Sequence, residues 1–480
     1  MASSPLLSVA TELLLAVVEA IDDAASLRSF ALTCKLARLL AEPVLYRAVL
    51  VTTGSQASCL ANALQQQQPP ARAELVRSLD LRPKFGRDAG VEALTPLVGA
   101  MTQLRTLSME SPFANYGRWR SRAIRRRWDT LMQGYRALFL DAQCGASLQK
   151  LKSLTIHWSG DASRFWLLTE FKPILTLPAL QSLTISCAVL GDDLADGLAT
   201  FAGTTPLTHL ELVECFVSQK ALTAVLALPR ALRSCHLGIM RYHTFPSNHN
   251  YHEASPEQQL EALRQQRHSL QQLTWFDKDF AYGTDVCRVS TVSGRGLSHF
   301  TELHTLTLDG ACALLFSTLF SECAPPNLDR LRIIRHDQGT VLDHPADSHL
   351  PALRHLDLVF SPKGRDNPDP LWAKPDRRDR VKRLGEDYHA RGIRLAIFAA
   401  HRGSTFPPYL FGEEPPCEEP AYRAENAWFS PGNDIGGTFS EWFGMVRRHP
   451  RHSDCEEVMQ LGGVKGLACR VIDTVELFSV

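Results

Sequence analysis

One pattern of apolar and polar positions returns along this chain: an apolar residue, two polar ones, then apolar, polar, apolar. It occurs as VRSLDL at 76, LRTLSM at 104, LKSLTI at 151, LQSLTI at 180 and LTHLEL at 207. It continues as LRSCHL at 232, LQQLTW at 270, LHTLTL at 303, LDRLRI at 328 and LRHLDL at 353, with a looser copy, GIRLAI, at 392. The fourth and sixth positions alternate with polar ones, which is the period of a strand with one buried face. The starts of the ten clear copies lie 28, 47, 29, 27, 25, 38, 33, 25 and 25 residues apart. Between them, DDLADGLATFAG (192–203) and SQKALTAVLALP (218–229) carry apolar residues at helical spacing and predict helices. A strand followed by a returning helix at a near-constant period predicts stacked units that share a parallel sheet, with the helices outside it. The extra lengths at 110–150, 240–268 and 277–298 are expected to be loop insertions.

A different period opens the chain. Val9, Leu13, Leu14, Val17, Val18 and Ile21 recur at helical spacing and predict a first helix over 9–21. A second is expected over roughly 24–33, with Leu27, Phe30 and Ala31, and a third to about Leu40, with Pro43 as its limit. Asp22 and Asp23 separate the first two, and Asp23 is expected to cap the second. The stretch lacks the features of an export signal, because no Lys or Arg precedes Arg28. Glu12, Glu19, Asp22 and Asp23 interrupt it, so it holds no uncharged span of membrane length. Three helices this short lie near the lower limit for independent stability, and their apolar patch is a liability unless something covers it.

Composition narrows the class. The 480 residues carry 51 basic and 51 acidic side chains, so no obligatory nucleic-acid or anionic-membrane partner is expected. The 12 cysteines include no C-x-x-C pair, which predicts reduced thiols in a cytoplasmic or nuclear protein. Phosphate-loop, nucleophile-elbow and zinc-helix motifs are absent, so neither an enzyme nor a cofactor is expected.

Five further stretches bear on chemistry. Ser147 and Lys150 match S-x-x-K but run straight into a strand pattern, and GGVKG (462–466) lacks phosphate-loop spacing. RWRSRAIRRRW (118–128) is a dense basic run between Trp119 and Trp128; it suits phosphate contact or a nuclear-import signal, and more simply a solvated helix. His243, His249 and His252 cluster in one segment, but without a nearby cysteine no metal site is expected. KPDRRDRVKRLGEDYHARG (374–392) mixes both signs and predicts the last returning helix.

The hexamers with their returning helices resemble the leucine-rich-repeat family in its longer, helix-containing form. The repeats are degenerate: Cys215 fits the family's Asn/Cys position, whereas Ala188, Pro112 and Ser159 do not. The opening helices resemble the fungal-type F-box through Glu12, Leu13, Leu14, Val17, Ile21, Asp22-Asp23, Leu27, Phe30, Ala31, Leu32, Cys34 and Leu40-Ala41. Ala10, Ala24 and Ala37 stand where that family places Pro, Pro and Trp.

Together the resemblances imply an α/β chain in three parts. These are a small all-α F-box-like module over 1–50, a leucine-rich-repeat solenoid with a parallel inner sheet and outer helices over 51–400, and an irregular cap over 401–480. The implied function is the substrate-recognition subunit of an SCF-type cullin–RING ubiquitin ligase. Val9, Ala10, Leu13, Leu14, Val17, Ile21, Leu27 and Phe30 would dock the Skp-type adaptor of the cullin ligase. The concave sheet face, with Glu211, His236, Arg330, Arg332, His355 and Asp357, would hold a protein substrate. The other reading is an adaptor-independent repeat scaffold whose first helices only cap the solenoid.

Overall fold

A computed structural model describes residues 9–66, 71–83, 87–110, 122–158, 166–213, 215–238, 254–275, 296–309, 323–336, 350–360, 383, 385–400 and 467–472. The fold is α/β, with parallel strands and helices. The described residues group into two compact units. The first holds those up to 110, then 122–156 and 170–182; the second holds 157–158, 166–169 and those from 183 onward.

The first unit begins with helices α1 (Thr11–Glu19), α2 (Ala24–Ala31) and α3 (Lys35–Leu45). Leu14 and Val18 of α1, Leu27 of α2, and Leu40 and Ala41 of α3 form their shared core, with Ile21, Phe30, Ala31, Leu36, Val44 and Leu45 packed against it. Asp23 caps α2 as its sequence position predicts, accepting from Ala25 N at 3.2 Å and Ser26 N at 2.7 Å. Hydrogen bonds from Ser26 are the main cause that holds its carboxyl below the usual range. Pro43 does not end α3. The helix runs on to Leu45 because Val44 and Leu45 have apolar partners in the core, which offsets the one backbone bond that Pro43 cannot make.

Strands β1 (Ala48–Val51), β2 (Ser78–Leu81), β3 (Thr106–Glu110) and β4 (Ser153–His157) follow in that order across the unit's sheet. β1 pairs parallel with β2, and β2 with β3, so that Leu79 stands opposite Leu107 and Leu81 opposite Met109. Helices α4 (Gly54–Gln65), α5 (Arg72–Leu75) and α6 (Thr95–Val98) connect them. The expected insertion after β3 carries α7 (Arg122–Gln143) rather than a plain loop. Its apolar positions explain this: Trp128, Tyr135, Leu138 and Phe139 are buried, with Phe139 edge-on to Phe171 at 6.3 Å.

The second unit contains β5 (Trp166–Leu167), β6 (Ser182–Ser186) from Leu183 onward, β7 (Ala188–Leu190), β8 (His209–Val213), β9 (Phe216–Val217), β10 (Ser234–Leu237) and β11 (Gln272–Trp275). It goes on with β12 (Thr305–Asp309), β13 (Arg330–His336), β14 (His355–Phe360), β15 (Arg394–Ala400) and β16 (Leu467–Ile472). The sheet runs β6-β8-β10-β11-β12-β13-β14-β15-β16, and β5-β7-β9 form a small sheet of their own. The main ladder is parallel from β8 to β16 wherever its register is defined, so equivalent hexamer positions face one another: Cys235 opposite Leu273, Leu306 opposite Leu331 and Leu331 opposite Leu356.

The apolar hexamer positions are buried as their spacing predicts, with Leu232, Cys235 and Leu237 as one set and Leu303, Leu306 and Leu308 as another. Strand β16 lies inside the stretch expected to be an irregular cap; the remainder of 401–480 lies outside the described residues.

The returning segments vary. Ser218 caps α8 (Gln219–Ala227) by accepting from Ala221 N at 3.2 Å, and Leu222, Val225 and Leu226 are buried, as the apolar spacing predicts. Residues 192–203 do not form the expected helix but two short 3-10 turns, Asp192–Ala195 and Ala199–Phe201. Gly197 sits between them at φ 75, a left-handed conformation that ends a helix. Helix α9 (Pro256–Leu263) occupies part of the second expected insertion, started by a capping box between Ser255 and Gln258. The third, 277–298, lies almost wholly outside the described residues, as do Val381 and Leu384 of the expected last helix, while Tyr388 of that helix is buried.

Candidate functional site

Two surfaces hold the residues singled out in the sequence. The first is the outer side of the three-helix module. Its geometry divides the expected docking set. Leu14 and Leu27 are 3% exposed and belong to the module's own core, and Ile21 and Phe30 pack half-buried against it. These four are therefore not available as a free face; the neighbouring helices have already covered them. Val9, Ala10, Leu13 and Val17 are exposed, with Leu13 at 61% and Val17 at 53%. Leu13 and Val17 are four residues apart and share one side of α1. Leu32, at 87%, and Leu39, at 59%, are further exposed apolar residues of the module that the helical spacing did not single out. Ala37 is buried, so the space that a Trp would occupy is closed by the packing of α3.

This module is fastened to the elements that follow it in the first unit. Arg47 Nη2 meets Glu19 Oε1 at 3.0 Å. Arg72 of α5 reaches Glu42 of α3 at 2.9 Å and lies over the Tyr46 ring at 5.6 Å. Burial would raise the Glu42 carboxyl, but hydrogen bonds from Arg38 and Arg72 outweigh it and hold the group below its ordinary value.

The second surface is the polar face of the sheet in the second unit. Register places Glu211, His236, Thr274, Thr307, Arg332 and Asp357 in one row across β8, β10, β11, β12, β13 and β14. His209, Ser234, Gln272, Thr305, Arg330, His355 and Arg394 form the next row. The six residues expected to bind substrate thus fall in two adjacent rows.

Their states differ. Glu211 is exposed and accepts from Thr184 Oγ1 at 2.9 Å. His236 is half-buried, and burial pushes its imidazole down to about 4, so it is neutral at physiological pH. Beside it on the strand, burial pushes the Cys235 thiol up to about 12, which removes thiolate chemistry there. Arg332 and Asp357 pair through Nε at 3.1 Å and Nη2 at 3.0 Å, and both side chains are mostly buried. That half of the expected mixed-charge patch is committed to an internal bond. Arg330 and His355, opposite each other in register, are half-buried and take no ion pair among the described residues.

The other sequence candidates find structural explanations or fall outside the described residues. Ser147 is buried and donates to Leu138 O, while Lys150 Nζ donates to Gln103 Oε1, so the two do not act on each other. In the basic run, Arg127 pairs with Asp88 at 2.7 Å and Glu92 at 2.8 Å, and Trp128 is buried; residues 118–121 are not described. The histidines at 243, 249 and 252 and the GGVKG stretch are likewise outside. Among the described residues no group of three His, Cys, Asp or Glu side chains is placed to hold a metal ion, and no helix is long and apolar enough to cross a membrane. His157 and Ser186 share a hydrogen bond, but both are buried in strand positions and belong to the packing of the second unit.

Neither protein-family models nor curated proteins give a match to this chain.

Proposed function

We propose that the chain is a substrate-recognition subunit of an SCF-type cullin–RING ubiquitin ligase, in which the three-helix module is an F-box that docks a Skp-type adaptor. In the same reading, the sheet and its returning helices form a leucine-rich-repeat solenoid that holds a protein substrate. The observation that carries this is the pairing of a complete small core, Leu14, Val18, Leu27, Leu40 and Ala41, with apolar side chains left outside it at Leu13, Val17, Leu32 and Leu39. A module that has already closed its core gains nothing internally from further exposed leucines, and a partner surface is what such residues fit. The subunit itself makes and breaks no bond; it raises the effective concentration of bound substrate at the ligase.

The test is capture of a purified Skp-type adaptor by the full chain. Leu13→Asp and Val17→Asp should abolish capture while leaving the melting temperature unchanged within a few degrees. Wild-type and variant chains that capture the adaptor equally, or not at all, sink the ligase reading and leave the adaptor-independent scaffold in its place.

A further inference from the structure

In the first unit, the second hexamer position brings three cations side by side: Arg77, Arg105 and Lys152. Backbone bonds set this placement. Arg105 N donates to Arg77 O at 2.7 Å and Lys152 N to Arg105 O at 2.8 Å, continuing a ladder in which Arg77 N donates to Arg47 O at 2.9 Å. Neighbouring strands lie about 4.8 Å apart, so the three residues span about 10 Å. All three are exposed, and among the described residues none has an ion-pair partner, whereas Arg47 is occupied by Glu19.

A second row runs beside the first. Ser78, Thr106, Ser153 and Ser182 each bond through N–H to the same carbonyls, those of Arg47, Arg77, Arg105 and Lys152, at 3.0, 3.1, 3.0 and 2.9 Å. Their hydroxyls are partly or fully open to solvent and have no hydrogen-bond partner among the described residues. Like charges this close repel, and among the described residues no carboxylate pairs with them. Cations flanked by unengaged hydroxyl donors make a receptor for oxyanions.

The position after the hydroxyl row decides which polyanion fits. Asp80, two residues along from Ser78 on β2, is paired with Arg82, and the equivalent residues are Ser108, which is buried, on β3 and Thr155 on β4. These positions offer no ring on which a base could stack, so a nucleic-acid strand lacks its usual anchor there. Carboxylates at alternate positions of an extended peptide lie about 6.7 Å apart, within the reach of Arg and Lys side chains.

We propose that this double row binds an acidic, extended segment of a protein partner. It rests on the ligase reading only in taking that partner to be the substrate.

Fluorescence anisotropy of the full chain with a labelled Glu-Ser repeat peptide tests this, with a Gln-Ser repeat and a poly-dT strand as comparisons. The Glu peptide should bind at low salt and the Gln peptide should not. The combined Arg77→Gln, Arg105→Gln and Lys152→Gln variant should bind about tenfold more weakly, as the loss of three exposed ion pairs predicts. Arg233→Gln, an exposed arginine of the second unit, should leave binding unchanged, and thermal melting should confirm that every variant is folded. Equal affinity of wild type and the triple variant, tighter binding of poly-dT than of the Glu peptide, or no peptide binding at low salt each overturns the proposal. Adaptor capture by the α1 face is a separate readout, so failure there leaves this result standing.

Discussion

The guanidinium of Arg72 lies 2.9 Å from the carboxylate of Glu42 and joins the third helix of the module to the helices that follow. Its other amino group donates to Ala63 O at 3.1 Å and Gln66 Oε1 at 2.9 Å, with the side chain only 6% exposed. Removing one partner of a mostly buried pair strands the other. Arg72→Ala should therefore destabilise the first unit by about 2–4 kcal/mol, and Glu42→Gln by about 1 kcal/mol, because the amide still accepts. Urea denaturation of the purified variants checks both; equal losses would show that charge, rather than hydrogen bonding, dominates.

Adjacent residues of α1 should behave oppositely. Leu14→Ala removes a core side chain and should cost about 2–5 kcal/mol in unfolding free energy. Leu13→Ala, one residue earlier and exposed, should stay within about 0.5 kcal/mol. If both variants lose comparable stability, Leu13 is packed rather than free, and the docking face loses its chief member.

Ala24 is the first residue of α2, and Asp23 before it is extended, at φ −89 and ψ 119. Both conditions favour proline, which needs no N–H at that position and an extended residue before it. Ala24→Pro should stabilise the chain by about 0.4–1 kcal/mol. A rise of about 1–3 °C in melting temperature is the expected calorimetric result; a fall would mean that the Ala24 N–H or side chain is engaged.

Acid should weaken both units, for different reasons. His236 has its folded value lowered to about 4 from 6.5, so the unfolded chain takes up this proton first. Its contribution is complete above pH 6.5 and falls as pH drops toward 4, by up to about 3 kcal/mol. Glu42, held below its ordinary value, loses its stabilising effect as pH falls through its folded value. His236→Asn should flatten the decline in urea midpoint between pH 7 and pH 5; an unchanged slope would assign that decline to other groups.

Most of the strand pattern was legible because it is local. A period of two over six residues states which side chains are buried, and Leu79 and Leu81, or Leu356 and Leu358, follow it without knowledge of their neighbours. Caps at Asp23 and Ser218 were equally readable, since a cap needs only its own next turn. The misreadings came from tertiary contacts. Pro43 sits inside α3 because Val44 and Leu45 find apolar partners, and the insertion after β3 is helical because Trp128 and Phe139 find a core.

The sequence by itself determined the parallel strands, the three opening helices and the side of each strand that turns inward. These depend on periodicity and on interactions within a turn or a strand. Tertiary structure alone decided which half of the apolar stripe on α1 is consumed, with Leu14 and Val18 inside and Leu13 and Val17 outside. It also decided that Arg332 is spent on Asp357, and that Arg77, Arg105 and Lys152 stand in one row. The reason is common to all three. A helical stripe does not say which neighbour will cover it, and residues tens of positions apart become adjacent only when backbone hydrogen bonds fix the register between strands.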